Sequence, residues 1–167
     1  VIHTNAMVAA STPPTAMSLT QAHRAREQAE RAQAVQGFVE DMLAPLREGV
    51  PRARVPPLDE LLAKGLAELD RDDRRDPAVY SGLLVMFART YDRMGEIDTA
   101  RSLAQRAYAH SLDAFGADDP RTVQALAMRG RMHARFGDRD RARADLAAAR
   151  TQMQVHGIDG EPLSMVL

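Results

Sequence analysis

Two pairs of arginines have the spacing that most clearly suggests binding chemistry in this chain. Arg89 and Arg93 lie four residues apart, and Arg131 and Arg135 have the same spacing further along. A guanidinium presents a planar fork of N–H donors, which takes a carboxylate through two parallel hydrogen bonds. Arginines on one helical surface would therefore suit an acidic ligand, although charged helix faces are more often simply solvated.

Catalytic and metal-binding chemistry is not indicated by the residue types or their spacing. The chain has no cysteine, which excludes disulfide frameworks, thiolate zinc sites and thiol catalysis. It contains no HExxH motif, no glycine-rich nucleotide loop and no GxSxG elbow. We therefore expect no enzymatic activity, no cofactor and no metal. None of the histidines has a carboxylate at ligand spacing; they are His3, His23, His110, His133 and His156.

Composition favours a helical domain without an electrostatic preference for polyanions. The 167 residues carry a net charge of −1, and only 4% of them are aromatic. This length is typical of about one domain, and the balanced charge gives no reason to expect binding to nucleic acid or anionic membrane. The 29 alanines favour helix over sheet. No apolar stretch is long enough to insert into a bilayer.

Helical periodicity and helix-end residues divide the chain into a long helix followed by helix pairs. The predicted segments are a disordered lead or linker at 1–17, an N-terminal linker helix at 18–47, helical repeats at 48–156 and a tail at 157–167. Within the repeats, a degenerate unit is predicted at 57–71, and full helix pairs are predicted at 77–115 and 120–156.

The two helix pairs repeat each other when the chain is superposed on itself with an offset of 42. Small residues at equivalent positions would let paired helices approach closely, and glycine would let the chain reverse between them. The aligned pairs are Leu84 with Leu126, Ala88 with Gly130, Tyr91 with His133, Gly95 with Gly137, Ala100 with Ala142 and Ala107 with Ala149. The helix-start pairs Asp76-Pro77 and Asp119-Pro120 are offset by 43, one residue out of register.

This pattern resembles the tetratricopeptide repeat (TPR), in the longer variety found in kinesin light chains. The first unit matches the family pattern throughout, whereas the second departs from it at His133, where the family usually has an aromatic residue. The resemblance implies an all-α fold of antiparallel helix pairs, a short α-solenoid preceded by a longer N-terminal helix. It also implies a non-catalytic module that binds a protein or peptide partner. The residues that carry it are Leu84, Ala88, Tyr91, Gly95, Ala100 and Ala107.

Residues 21–43 and 58–69 carry a second resemblance. They are similar to the region that leads into the C-terminal TPR repeats of certain bacterial receptor-like Ser/Thr protein kinases, and membrane-bound winged-helix regulators show similar sequences. The chain itself has no kinase motif. The resemblance implies a sensor or scaffold region of a bacterial signalling protein, cytoplasmic, or extracytoplasmic if a membrane helix precedes it in the parent protein.

The TPR resemblance also implies where the arginines lie. In that family the first helix of each pair lines a concave groove, and the positions one and five residues after the small residue commonly face it. The candidate peptide-binding residues are therefore Arg89, Arg93, Arg131 and Arg135, with Gln124 beside them and the repeat-equivalent Met86 and Met128. We expect an acidic protein or peptide partner. The alternatives are that Asp92, Asp138 and Asp140 neutralise the arginines, and that the methionines only fill the core.

A second functional hypothesis is dimerisation through the N-terminal helix. Ala22, Ala25, Ala29 and Ala32 form a stripe of small residues along it. Such a stripe would allow a close parallel helix dimer that couples a membrane or kinase module to the repeats. A homodimer would also cover a repeat end that is otherwise exposed, because about three repeats are usually needed for stability.

Overall fold

The chain is all-helical in the part that the computed structural model describes, residues 16–46, 56–71 and 76–156. Six α-helices and no strand occur in these ranges, which confirms the fold class expected from composition. The helices are α1 Ala16–Met42, α2 Leu58–Arg71, α3 Pro77–Met94, α4 Ile97–Phe115, α5 Pro120–Phe136 and α6 Arg139–His156. A 3₁₀ turn, Ala44–Leu46, follows α1. Most of the predicted lead at 1–17 and the whole tail at 157–167 lie outside the described residues.

The last four helices pack as two hairpins that stack on each other. α3 packs on α4 and α5 packs on α6, while α4 and α5 join the two pairs. The main core takes most of its buried side chains from α3 and α4, among them Leu83, Phe87 and Leu103, and α2 and α5 contribute others, such as Leu69 and Met132. A smaller cluster around Val123 and Ala149 holds α5 against α6. The apolar face that each helix forms by its 3.6-residue periodicity thus packs against the apolar face of a neighbouring helix.

The turn inside each hairpin has the same structure at equivalent positions of the two repeats. Gly95 and Gly137 adopt φ of 84° and 90°, the left-handed conformation that glycine tolerates. The amide of Gly95 donates to Asp92 O at 3.1 Å, and that of Gly137 donates to Ala134 O at 3.2 Å. The prediction that glycine reverses the chain at these two positions is confirmed.

The lengths of α3 and α5 explain why the Asp-Pro helix starts are offset by 43 residues while the other repeat positions are offset by 42. The carboxylate of Asp76 accepts from the amide of Ala78 at 2.7 Å, and that of Asp119 accepts from the amide of Arg121 at 2.9 Å. Each aspartate is followed by proline at the first helical position, as the sequence predicts. Because α3 has 18 residues and α5 has 17, the extra residue lies within α3.

The long helix α1 is anchored by its second half. Val35, Phe38 and Met42 pack against the main core, and the Phe38 ring meets Phe87 edge-on with centroids 6.1 Å apart. A Cβ added to Gly65 of α2 would lie 2.6 Å from Met42 Sδ, so glycine lets α2 approach α1 closely. α1 therefore contacts both α2 and α3.

Candidate functional site

The candidate residues lie along one face of α3 and one face of α5. In α3, the positions Gly82, Met86, Arg89 and Arg93 follow the helical spacing of four, three and four. In α5, the same spacing runs through the repeat-equivalent positions, which are Gln124, Met128, Arg131 and Arg135. The two helices contact each other side by side. We call these two adjoining stripes the arginine face.

Two of the four arginines are held by a buried carboxylate. Asp92 of α3 has a side chain only 3% exposed, and its two oxygens lie 3.1 Å from Arg131 Nη2 and 2.9 Å from Arg135 Nε. Neither contact has the geometry of a hydrogen bond, and Asp92 Oδ1 makes none with any described residue. The arrangement is thus an ion-pair bridge between α3 and α5.

The other two arginines have no such partner among the residues that the structure describes. Arg89 and Arg93 are exposed, and no described carboxylate lies within ion-pairing distance of either of them. Their positions are the repeat equivalents of Arg131 and Arg135, one unit earlier in the chain. The residue equivalent to Asp92 in the second unit is Ala134, which is exposed. The face therefore presents one satisfied arginine pair and one open pair.

Of the three aspartates expected to neutralise the arginines, one pairs with the arginine face and two pair with arginines of α6. Asp92 does neutralise Arg131 and Arg135, but from a buried position. Asp138 pairs instead with Arg141 at 3.4 Å, and Asp140 pairs with Arg143 at 3.5 Å, both one turn away on α6. Neutralisation thus explains one pair of arginines and leaves Arg89 and Arg93 unexplained.

The uncharged candidates lie in different surroundings. Met128 is 4% exposed and belongs to the main core, and Met86 is half-buried against the same core. Their positions favour packing over ligand contact. Gln124 is exposed and lines a cavity at the N-terminal ends of α3 and α5.

This cavity, of about 680 Å³, lies between α1, α3 and α5. Its lining includes Gly82 and Val85 of α3 together with the polar side chains of Gln28, Arg31 and Gln124. A cleft with apolar walls and a few polar groups at its edge is typical of a ligand site. Residues of α1 thus contribute to the site, which no pattern in the sequence predicts.

The two arginines at the cavity differ in how firmly they are held. Arg121 donates from Nε and Nη2 to the two oxygens of Asp119, each at 2.7 Å, and these bonds lower the pKa of Asp119. Arg31 lies 3.8 Å from Glu27 and 3.9 Å from Asp76, too far for a hydrogen bond. Arg31 is therefore the cavity cation with donors to spare for a ligand.

Other polar clusters join helices rather than line the arginine face. Ser81 Oγ lies 2.9 Å from His110 Nδ1, which links α3 to α4, and burial lowers the pKa of His110. Arg129 donates to both oxygens of Asp145 at 2.7 and 2.6 Å, which links α5 to α6. His133 lies beside this pair, 3.8 Å from Asp145 Oδ2. These pairs are far apart in sequence and follow no spacing that would predict them.

No protein-family model, curated protein or solved structure matches this chain significantly. Within the described ranges, no group of histidine and carboxylate side chains could hold a metal ion. None of the helices described is both long and apolar enough to span a bilayer. The site must therefore be interpreted from its own geometry and charge.

Proposed function

We propose that this chain is a non-catalytic protein-interaction module of the TPR type that binds an acidic peptide segment on its arginine face. The proposal is supported by the paired helices, by the glycine-capped turn that recurs in both units and by small residues where the helices approach. These features match what the family resemblance implies for a short α-solenoid.

The unequal state of the two arginine pairs is the observation that carries this proposal. Within the protein, Arg131 and Arg135 already bind a carboxylate, that of Asp92. Arg89 and Arg93 have the same spacing and repeat position but no carboxylate within ion-pairing distance among the described residues. A partner with an acidic side chain would supply the missing charge, and guanidiniums are well suited to receive it.

The resemblance of residues 21–43 and 58–69 extends the proposal to a parent protein. We place the module as a sensor or scaffold region of a bacterial signalling protein, of the kind in which a membrane or kinase module precedes TPR repeats. In that setting the chain would recruit a partner rather than catalyse a reaction.

The proposal is tested by titrating a fluorescein-labelled acidic peptide, acetyl-Glu-Glu-Asp-Glu-amide, with purified protein and recording anisotropy. We expect the double variant Arg89→Glu/Arg93→Glu to bind at least about tenfold more weakly, because losing charge-assisted bonds costs about 1.5 kcal/mol or more. Arg143→Glu is the matched control, since Arg143 is 78% exposed on α6 away from the face. Equal affinities of the wild type and both variants for the acidic peptide would contradict the proposal.

Dimerisation through α1 is the second candidate function. Ala22, Ala25, Ala29 and Ala32 are all exposed, so the small-residue stripe is open for another helix. Light scattering on the full chain and on a chain that begins at Ala34 tests this candidate. A dimer that becomes a monomer on truncation supports it, whereas identical oligomeric states of the two chains exclude α1 as the dimerising element.

A further inference from the structure

Gly82 differs from the glycines that lie inside helices and against neighbours. A Cβ added at Gly65 would meet Met42, and one added at Gly130 would lie 2.9 Å from Asp145 Cβ, so both glycines lie where two helices approach closely. A Cβ added at Gly82 would meet nothing within 4 Å. Packing therefore does not explain a residue that weakens a helix interior.

What Gly82 does is leave space in the cavity between α1, α3 and α5. It lines that cavity beside Val85, and its repeat equivalent, Gln124, lines the same cavity from α5. A larger side chain at position 82 would project into the open volume. The glycine thus leaves apolar space in a cavity that is also lined by the amides of Gln28 and Gln124 and by the loosely paired Arg31.

The cavity and the open arginine pair lie on one stripe of α3. Arg89 and Arg93 follow Gly82 by seven and eleven residues, which places them about 10 and 16 Å along the helix axis. An extended peptide covers that distance in about three to five residues. One bound segment is therefore long enough to reach both places.

We propose that the cavity over Gly82 is a specificity pocket for one apolar side chain of the bound peptide, located three to five residues from its acidic pair. The peptide main chain passes between Gln28 and Gln124, whose amides can bond its polar groups. The acidic pair of the ligand meets Arg89 and Arg93. This inference rests on the proposed function, since it names a second determinant of the same ligand.

The test uses two labelled peptides, acetyl-Leu-Ser-Ser-Ser-Glu-Glu-amide and the same peptide with alanine in place of leucine. Both are also made in reversed order, because a peptide can enter the groove in either direction. The protein variant is Gly82→Leu, which places a bulky side chain in the pocket. Gly37→Leu is the matched control, because Gly37 also lies within a helix, has no atom within 4 Å of an added Cβ and does not line the cavity.

We expect the wild type to bind the leucine peptide about tenfold more tightly than the alanine peptide, the discrimination an apolar pocket typically gives. Gly82→Leu should remove this preference by occupying space that the leucine side chain of the peptide would take, while Gly37→Leu keeps the preference. Thermal unfolding verifies that both variants fold. Should Gly82→Leu fail to fold, Gly82→Ala takes its place with a partial loss of preference.

Different results would overturn the pocket at Gly82 and the proposed binding of an acidic peptide. Equal binding of both peptides to the wild type, or a preference that Gly82→Leu retains, would overturn the pocket. If the wild type binds these peptides and Arg89→Glu/Arg93→Glu does not, the proposed function stands even when the pocket is overturned. Absence of binding by all of these peptides at millimolar concentration would overturn both.

Discussion

At the scale of single residues, the ion pairs of Asp92 join a buried carboxylate to two partly exposed guanidiniums. The carboxylate is buried, yet both guanidiniums that face it remain partly in water, since Arg131 and Arg135 have side chains 37% and 49% exposed. Solvent screening therefore makes the attraction between Asp92 and the two arginines weaker than that within a fully buried ion pair. A second effect of the ion pairs is to hold Arg131 and Arg135 of α5 against α3.

Replacing Asp92 by alanine should destabilise the fold by about 1–2 kcal/mol, because two neighbouring cations lose their shared anion. Urea unfolding followed by circular dichroism measures the change. Asp98→Ala is the control, since that aspartate is 84% exposed and pairs with Arg101 only across one turn. Losses of equal size in the two variants would argue against a special role for the buried carboxylate.

His110 predicts how stability should depend on pH. Burial lowers its pKa from the ordinary 6.5, so the unfolded chain binds a proton more readily than the folded one. Stability contributed by neutral His110 is therefore complete above about pH 6.5 and is lost as the pH falls toward the lowered value. His110→Gln should reduce the difference in urea midpoint between about pH 7 and about pH 5. An unaltered difference in His110→Gln would contradict the assignment.

At the scale of helices, two glycines inside helices should respond oppositely to the same substitution. Gly130→Ala places a methyl group 2.9 Å from Asp145 Cβ and 3.0 Å from Leu146 Cγ, and overpacking of this kind costs about 1–3 kcal/mol. Gly82→Ala meets no neighbour and should stabilise α3 by up to about 1 kcal/mol. Unfolding midpoints that shift in the same direction for both variants would contradict this account of the helix contacts.

The sequence predicted the features that depend on neighbouring residues. Asp76-Pro77 and Gly95 mark the ends of α3 by local hydrogen bonds and backbone conformation, and the helical spacing of apolar residues indicated which faces are buried. The pairing of Asp92 with two arginines of the next repeat depends on how α3 lies against α5. The cavity depends on where α1 lies, and the resemblance to a repeat family does not specify this. Gly82 carries no distinguishing pattern until its neighbours are known.

At the scale of the whole molecule, the chain combines two stacked helix pairs with one long helix that borders the cavity beside α3 and α5. The second half of α1 is fixed to the core by Phe38 and Met42, while Gln28 and Arg31 of the same helix border the cavity. α1 therefore contacts the core with one half and borders the cavity with residues of the same helix. If the proposed peptide occupies the cavity as well as the arginine face, it contacts α1 through Gln28 and Arg31.

A reciprocal charge-swap titration is the most direct test of the central claim that Arg89 and Arg93 form an open carboxylate site. The acidic peptide acetyl-Leu-Ser-Ser-Ser-Glu-Glu-amide and its counterpart with two lysines replacing the two glutamates are each titrated against the wild type and Arg89→Glu/Arg93→Glu. We predict that the wild type prefers the acidic peptide, and that the double variant reverses this preference, because the attraction depends on the sign of both partners. Retention of the acidic preference by the double variant, with its fold intact by circular dichroism, would contradict the account.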